Sequence, residues 1–268
     1  MYAFLLRPKW IGFHLLVFGA IVLMINLGFW QLRRLDERQD FNAAVEARID
    51  QPAVPLDDVL AELAASGSAS EVEWRPVTAT GEYLPDEQFV VINRSQGGRA
   101  GDNVVTPMRL ADGRTLIVNR GFVPLGLEQL PTAPSGTVAV EGRVRPSQVR
   151  RTGQLSDPAE GDLDTAQRID IARLEAQLPG EVVPVYVDLV ASDPPEAETF
   201  PEPVARPELS EGPHLSYAGQ WFLFSVAVAV GWVLAVRKSV ATRRAEEVRV
   251  PDVVSTIPSS VQGDGDTS

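Results

Sequence analysis

Two stretches interrupt the otherwise mixed pattern of apolar and polar positions along this chain. From Trp10 to Leu32 no residue carries a full charge, and IGFHLLVFGAIVLMINLGFW is almost wholly apolar. A second uncharged run extends from Gly212 to Val236, with YAGQWFLFSVAVAVGWVLAV at its heart. A helix needs about 20 such residues to cross a hydrocarbon core about 30 Å thick. Both runs reach that length and nothing between them does, so transmembrane helices are expected over 10–32 and 214–236. A secretory signal peptide is the other reading of the first run, since Arg7 and Lys9 precede it. The bulky FWQLRRLDER that follows offers no small-residue cleavage site, which favours a retained anchor.

Between the spans the period changes. Leu35 to Ile49 reads as a polar helix leaving the membrane, and Leu56 to Ala65 as a short helix with Leu56, Val59, Leu60 and Leu63 on one face. SGSAS (66–70) reads as a loop. Strands are expected over Glu73–Leu84 and Gln88–Ser95, separated by Pro85–Asp86. Val104–Leu110 and Thr115–Arg120 should form a hairpin, for which Asp112-Gly113 suggests a type I′ turn. A strand through Val138, Val140 and Val144 alternates with polar residues, and Val183–Val190 adds another. Ile169–Leu178 has helical spacing. The fold class is therefore α+β: two transmembrane helices flanking an external, mainly antiparallel β domain with short helices, its closure into a small barrel left open. The domain order runs 1–9 terminus, 10–32 span, 33–191 external domain, 192–213 Pro/Glu-rich linker, 214–236 span, and 237–268 a polar tail expected to be disordered.

Basic residues set the expected orientation. Arg237, Lys238, Arg243 and Arg244 follow the second span closely, whereas PELSEGP before it is acidic, so both termini should be cytoplasmic. Arg7 and Lys9 agree, while Arg33, Arg34 and Arg38 pull the other way. The chain is expected in the cell (plasma) membrane as a multi-pass protein in contact with the lipid bilayer, its central domain extracytoplasmic.

Composition removes several chemistries. A net charge of −12 leaves no basic face for nucleic acid. Cysteine is absent, the two histidines are His14 and His214, and the two lysines are Lys9 and Lys238. The stretch between the spans thus has no Ser–His–Asp or Cys–His system, no Schiff-base lysine and no histidine-ligated zinc. Asp157, Glu160, Asp162 and Asp164 match no calcium loop and read better as a solvated acidic loop. Paired carboxylates for glycosidic cleavage are neither favoured nor removed.

The informative polar groups lie at the ends of the spans. His214, Tyr217 and Trp221 are spaced i, i+3, i+7 on one helical face. Asn26 and Trp30 are i, i+4 neighbours, with Gln31, Arg33 and Arg34 beyond. Trp and Tyr also populate interfacial belts, arginines also anchor helices in headgroups, and a histidine also caps a helix start. The sharper reading is a haem site between the outer ends of the two spans, in which His214 is the axial ligand and metal contact, and the arginines (Arg33, Arg34) and tryptophan meet the propionates and the ring, with Tyr217 and Gln31 among its residues. His14, about 6 Å in from the other boundary at 1.5 Å rise per residue, cannot share a ligand sphere with His214.

These residues resemble a known family. NLGFWQLRRLDER (26–38) is similar to the G-x-W-Q-x-x-R signature of Surf1/Shy1 proteins. Arg75-Pro76-Val77, Gly81, Arg94, VVTPMRLADGRTLIVNRGFVP (104–124) and HLSYAGQWF (214–222) continue the likeness in order. Phe122 stands where the family usually has Trp, and Asn103 departs from its usual aromatic. The resemblance implies a non-enzymatic assembly factor, or chaperone, for the haem–copper cytochrome c oxidase of the respiratory chain, acting in haem a delivery or insertion into subunit I. It implies as partners that subunit and the haem a synthesis machinery. His214 would be the haem ligand, Trp30, Gln31, Tyr217, Gln220 and Trp221 the span-end residues, and Asn119–Gly121 a central motif. For the last, a turn with an internal ion pair is the blander reading. Rival functions are an assembly scaffold that never binds haem and a membrane-anchored external hydrolase.

Overall fold

The computed structural model describes residues 3–196 and 199–249; of the tail expected to be disordered over 237–268, residues 237–249 continue the C-terminal helix, and the rest lies outside the described residues. The chain divides into two compact units, Met1–Asp40 with Ser210–Ser268, and Phe41–Leu209.

The first unit is a pair of long helices, drawn from α1 (Pro8–Glu46) and the C-terminal helix α5 (His214–Arg249). Each contains an 18-residue apolar window of which 6% is buried. A core helix of a soluble protein would be mostly covered, so these faces belong in lipid. The residues that are at least partly covered keep a seven-residue spacing. On α1 they include His14, Val17, Ile21, Met24, Gly28, Gln31 and Leu35; on α5, His214, Ala218, Trp221, Ser225, Val228, Trp232 and Ala235. Steps of three and four residues mark the seam of two helices packed nearly antiparallel. Small residues let the backbones approach: a Cβ on Gly28 would lie 2.6 Å from the Phe222 ring. The polar helix expected after the first span is continuous with α1 as far as Glu46.

The second unit is a β barrel with short helices. Its main strands are β2 (Pro76–Tyr83), β3 (Phe89–Gln96), β4 (Arg99–Leu110), β5 (Thr115–Pro124), β6 (Thr137–Pro146) and β8 (Val182–Asp193); β1 (Val54–Pro55) and β7 (Thr165–Ala166) are two-residue additions. The order β1-β2-β6-β8-β5-β4-β3-β7, with β2 also pairing β4, closes β2, β6, β8, β5 and β4 into a ring. β5 and β8 run parallel, and every other pairing within the ring is antiparallel. At the β2–β4 closure a Cβ on Gly81 would sit 2.3 Å from the Arg109 carbonyl oxygen, so this crossing excludes a side chain.

Alternation places Leu116 and Val118 in one apolar cluster with Val77, Met108, Val140 and Val187. Ile117, from the same strand β5, joins a second cluster with Phe89, Val105, Ile169, Leu174 and Tyr186. β5 is therefore buried on both faces. The helix α2 (Leu56–Ser66) forms as its spacing predicts, with Leu56 and Val59 against the first cluster. α3 (Ala69–Val72) begins inside the stretch expected to be a loop. Of the helix expected over 169–178, only α4 (Ile171–Leu174) is regular.

The turn at Asp112-Gly113 departs from the type I′ expectation. Gly113 has φ +89°, but Asp112 does not join it at positive φ. Leu110 pairs with Arg114, the Gly113 N–H donates to the Leu110 carbonyl, and Asp112 Oδ1 accepts the Arg114 N–H at 3.0 Å. This is a three-residue loop ending in a left-handed glycine, stabilised by an aspartate that bonds its own backbone. The two-residue turn with both central residues at positive φ occurs instead at Gly97–Gly98, φ +58° and +76°, where Gln96 pairs with Arg99.

The Pro/Glu-rich segment expected as a linker over 192–213 is held to the barrel at several points. Glu202 exchanges both backbone hydrogen bonds with Phe122, at 2.7 and 2.9 Å, and pairs with Arg99. Gln96 donates to the Pro203 carbonyl and accepts from the Ala205 N–H. Further along, Leu209 packs against Val45, Ile49 and Trp74.

Candidate functional site

The N-terminal end of α5 meets α1 through a polar contact inside the helix pair. His214 Nδ1 lies 2.9 Å from Gln31 Oε1. With Nδ1–H donated to that amide oxygen, the imidazole tautomer is set and the Nε2 lone pair is left available. Gly212, at φ +70°, sits beside the ring: a Cβ there would stand 3.5 Å from Nε2, in ordinary van der Waals contact. Within the same unit the turn before α5 is tied to α1. Arg38 Nε donates to the Ser210 carbonyl at 2.9 Å, and Gln39 Nε2 to Glu211 at 3.0 Å. His214 is thus a half-buried residue of the seam rather than a cap directed into solvent.

The remaining predicted residues divide into two groups. Trp221 is half-buried on the seam beside Ala218, with Phe224 edge-on to its ring at 6.1 Å. Gln31 joins His214 directly. Tyr217 and Trp30 are each 46% exposed, presenting aromatic surface outward from the helix pair rather than closing on the imidazole. Arg33 and Arg34 are exposed, and Arg34 is already paired with Glu37 three residues on. An imidazole nitrogen with a fixed orientation, outward aromatic rings and nearby cations suit an amphipathic planar ligand approaching from the lipid side.

His14 lies at the other end of the pair. Its Nδ1 accepts the Trp232 indole N–H at 2.9 Å, and Trp10 lies 5.7 Å away between ring centroids. The separation of the two histidines agrees with the sequence argument. The tryptophan bond escaped it, because it joins residues 218 positions apart.

In the barrel, the central motif is internal. Arg120 is completely buried. Its Nε and Nη2 bind Glu196 at 2.8 and 2.5 Å, Nη1 reaches the Pro131 carbonyl and Gln88, and Nη2 also reaches the Thr132 carbonyl. Burial, and then the Glu196 carboxylate, push the Tyr83 phenol beside it well above its ordinary value, against the opposing Arg120 charge. Asn119 Nδ2 donates to Asp188 at 2.7 Å. The internal ion pair is the reading that the geometry supports here.

The acidic loop is partly structural. Asp157 accepts the Gln167 N–H at 2.7 Å and faces Arg168, whereas Glu160, Asp162 and Asp164 are exposed. No group of three or more potential metal ligands occurs among the described residues. One cleft does gather two carboxylates, Asp57 and Asp112. Both are bound by Arg114 at 2.5 Å, and Arg114 holds the Asp112 carboxyl below the usual carboxylate range. A general acid requires the opposite shift to that of Asp112.

The SURF1 family pattern matches residues 18–226. An uncharacterised SURF1-like protein of Mycobacterium bovis is 30% identical over 255 residues, covering 93% of this chain and 91% of the relative. A SURF1-like protein of Monosiga brevicollis is 28% identical, covering 85% and 88%. One of Caenorhabditis briggsae is 25% identical, covering 87% and 78%.

Proposed function

This chain belongs to the SURF1 family, and we propose that it is a membrane assembly factor for haem–copper cytochrome c oxidase, assisting haem a delivery or insertion into subunit I. The observation that carries the cofactor half of this reading is the His214–Gln31 contact at 2.9 Å. The amide oxygen orients the ring and directs Nε2 away from the partner helix, as outer partners of ligating histidines do. Haem, when bound, would supply its own iron and redox chemistry; the protein supplies one nitrogen, aromatic surface and positive charge. Trp30, Tyr217 and Trp221 would flank the macrocycle, and Arg33 and Arg34 would meet its propionates. The exposure of Tyr217 and Trp30 suits hand-over, since a carrier must release what it binds. The function needs no nucleophile, and the barrel carboxylates Asp57, Asp112, Asp157 and Glu196 are each paired with an arginine.

The test is to purify the full chain from cells that make haem a and record its absorption spectrum with pigment extraction, beside His214→Ala and Gln31→Leu. Wild type should carry haem, His214→Ala should lose it, and Gln31→Leu should retain it with a shifted Soret band. Equal haem content in wild type and His214→Ala would overturn the site and leave a scaffold that acts without haem.

A further inference from the structure

A cleft of about 690 Å³ opens on the barrel unit. Arg94, Arg145, Arg151 and Arg168 line it together with Gln148 and Tyr186, and none of its lining residues is acidic. In a chain of net charge −12 this is a local reversal of sign. Arg168 is balanced by Asp157, 3.4 Å away. Arg145 faces two carboxylates, with Nη1 3.3 Å from Glu73 and Nε 3.6 Å from Asp188, although neither contact has hydrogen-bond geometry. Arg94 reaches amide oxygens, the Gln167 carbonyl at 3.1 Å and Gln148 Oε1 at 3.5 Å. Arg151 gives its backbone N–H to Gln154, and its side chain is exposed.

These positions are built into the fold. A bulge in β3 between Val91 and Arg94, with Asn93 at φ +61° and its N–H bonded to Asp102, re-aims Arg94. The Arg145 guanidinium is stacked 3.6 Å over the Trp74 ring, which fixes its plane. The Tyr186 hydroxyl accepts from Gln148 Nε2 at 2.8 Å and keeps its own proton to donate. Burial and then Asp188 push that phenol up to about 12, so it remains a donor throughout the physiological range. Guanidinium N–H groups that face only amide oxygens or solvent, as on Arg94 and Arg151, are donors that an oxyanion satisfies with charge-assisted hydrogen bonds. Several guanidiniums lining one cleft, two of them (Arg94 and Arg151) without a carboxylate partner among the described residues, suit a tetrahedral dianion better than a single carboxylate with its two oxygens.

We propose that this cleft is a phosphate-binding site, taking a phosphorylated ligand whose oxygens are shared by Arg94, Arg145 and Arg151 with the Tyr186 hydroxyl. It is formed by barrel residues alone and does not depend on the haem reading. The same phosphate chemistry is offered by a soluble phosphorylated compound and by a phospholipid headgroup. The full chain in neutral detergent is therefore titrated calorimetrically, at about 0.15 M salt, with inorganic pyrophosphate and separately with monomeric dihexanoyl-phosphatidylglycerol. At least one probe should bind saturably at a single site. Arg94→Gln and Arg151→Gln should each weaken it by about tenfold, while Arg150→Gln, outside the cleft lining, leaves it unchanged. Because Arg94 also ties Gln148 and Gln167, Arg151→Gln, at an exposed position, is the variant that keeps the fold intact. Binding of pyrophosphate alone identifies a soluble ligand; binding of the lipid alone identifies a headgroup. Saturable binding of neither probe overturns the proposal, as does equal weakening by Arg150→Gln, which would mean diffuse attraction only.

Discussion

Arg120 shows how much one side chain can organise. Its guanidinium has no solvent exposure, and removing it would strand Glu196, Gln88 and two carbonyl oxygens in the barrel wall. Breaking a buried pair from one side leaves an uncompensated charge and costs about 3–5 kcal/mol. Arg120→Ala should lower stability by that amount in reversible denaturant unfolding, and Arg120→Lys should recover little of it, because an ammonium cannot reproduce the fork. A loss under about 1 kcal/mol would mean that the node is not structural. The sequence placed Arg120 at the end of a strand and admitted an internal carboxylate as its partner. It could not identify Glu196, 76 residues away in the Pro/Glu-rich segment. His214 is the converse case: its residue type and neighbours singled it out, but Gln31 as its orienting partner required the helix pairing.

Among elements, the two spans were the most legible, because a lipid environment demands an unbroken apolar run and that demand is local. The seam between them is also written in the chain, as covered positions stepping by three and four, yet the match of one helix to the other is a tertiary fact. The Trp232–His14 bond is part of that match. Hydrogen bonds between membrane helices are worth about 0.6–1.7 kcal/mol. A double-mutant cycle of Trp232→Phe and His14→Leu, read by unfolding in mixed micelles, should give a coupling energy of about 1 kcal/mol on that scale. Additive effects would show that the bond does not hold the pair. In the barrel, strand positions followed from alternation, but turn chemistry misled at Asp112-Gly113. There the aspartate bonded its own backbone, and the two-residue turn fell to Gly97–Gly98. α4 stops at Leu174, where the bond from the Glu175 N–H to the Ile171 carbonyl gives way to tighter i+3 bonds from Gln177 to Leu174 and from Leu178 to Glu175.

For the whole molecule, the proposed topology has both termini in the cytoplasm and the barrel outside. The absence of cysteine makes a direct test simple. Ser68→Cys, on the barrel unit, should react with a membrane-impermeant maleimide in intact cells, and Lys238→Cys, beyond the second span, should react after lysis alone. The reverse pattern would invert the topology. What the sequence determined by itself were features set by local physics. These are the two apolar helices, the short α2, the run of strands, and the chemistries removed by missing cysteine, lysine and histidine. Tertiary structure alone decided the ring closure through β2 and β4, the docking of the Pro/Glu-rich segment, the Arg120–Glu196 pair and the four-arginine cleft. Each of these joins residues far apart in the chain, and their meeting depends on strand register and barrel curvature. Periodicity reports which face a residue occupies; it carries no information about what stands opposite.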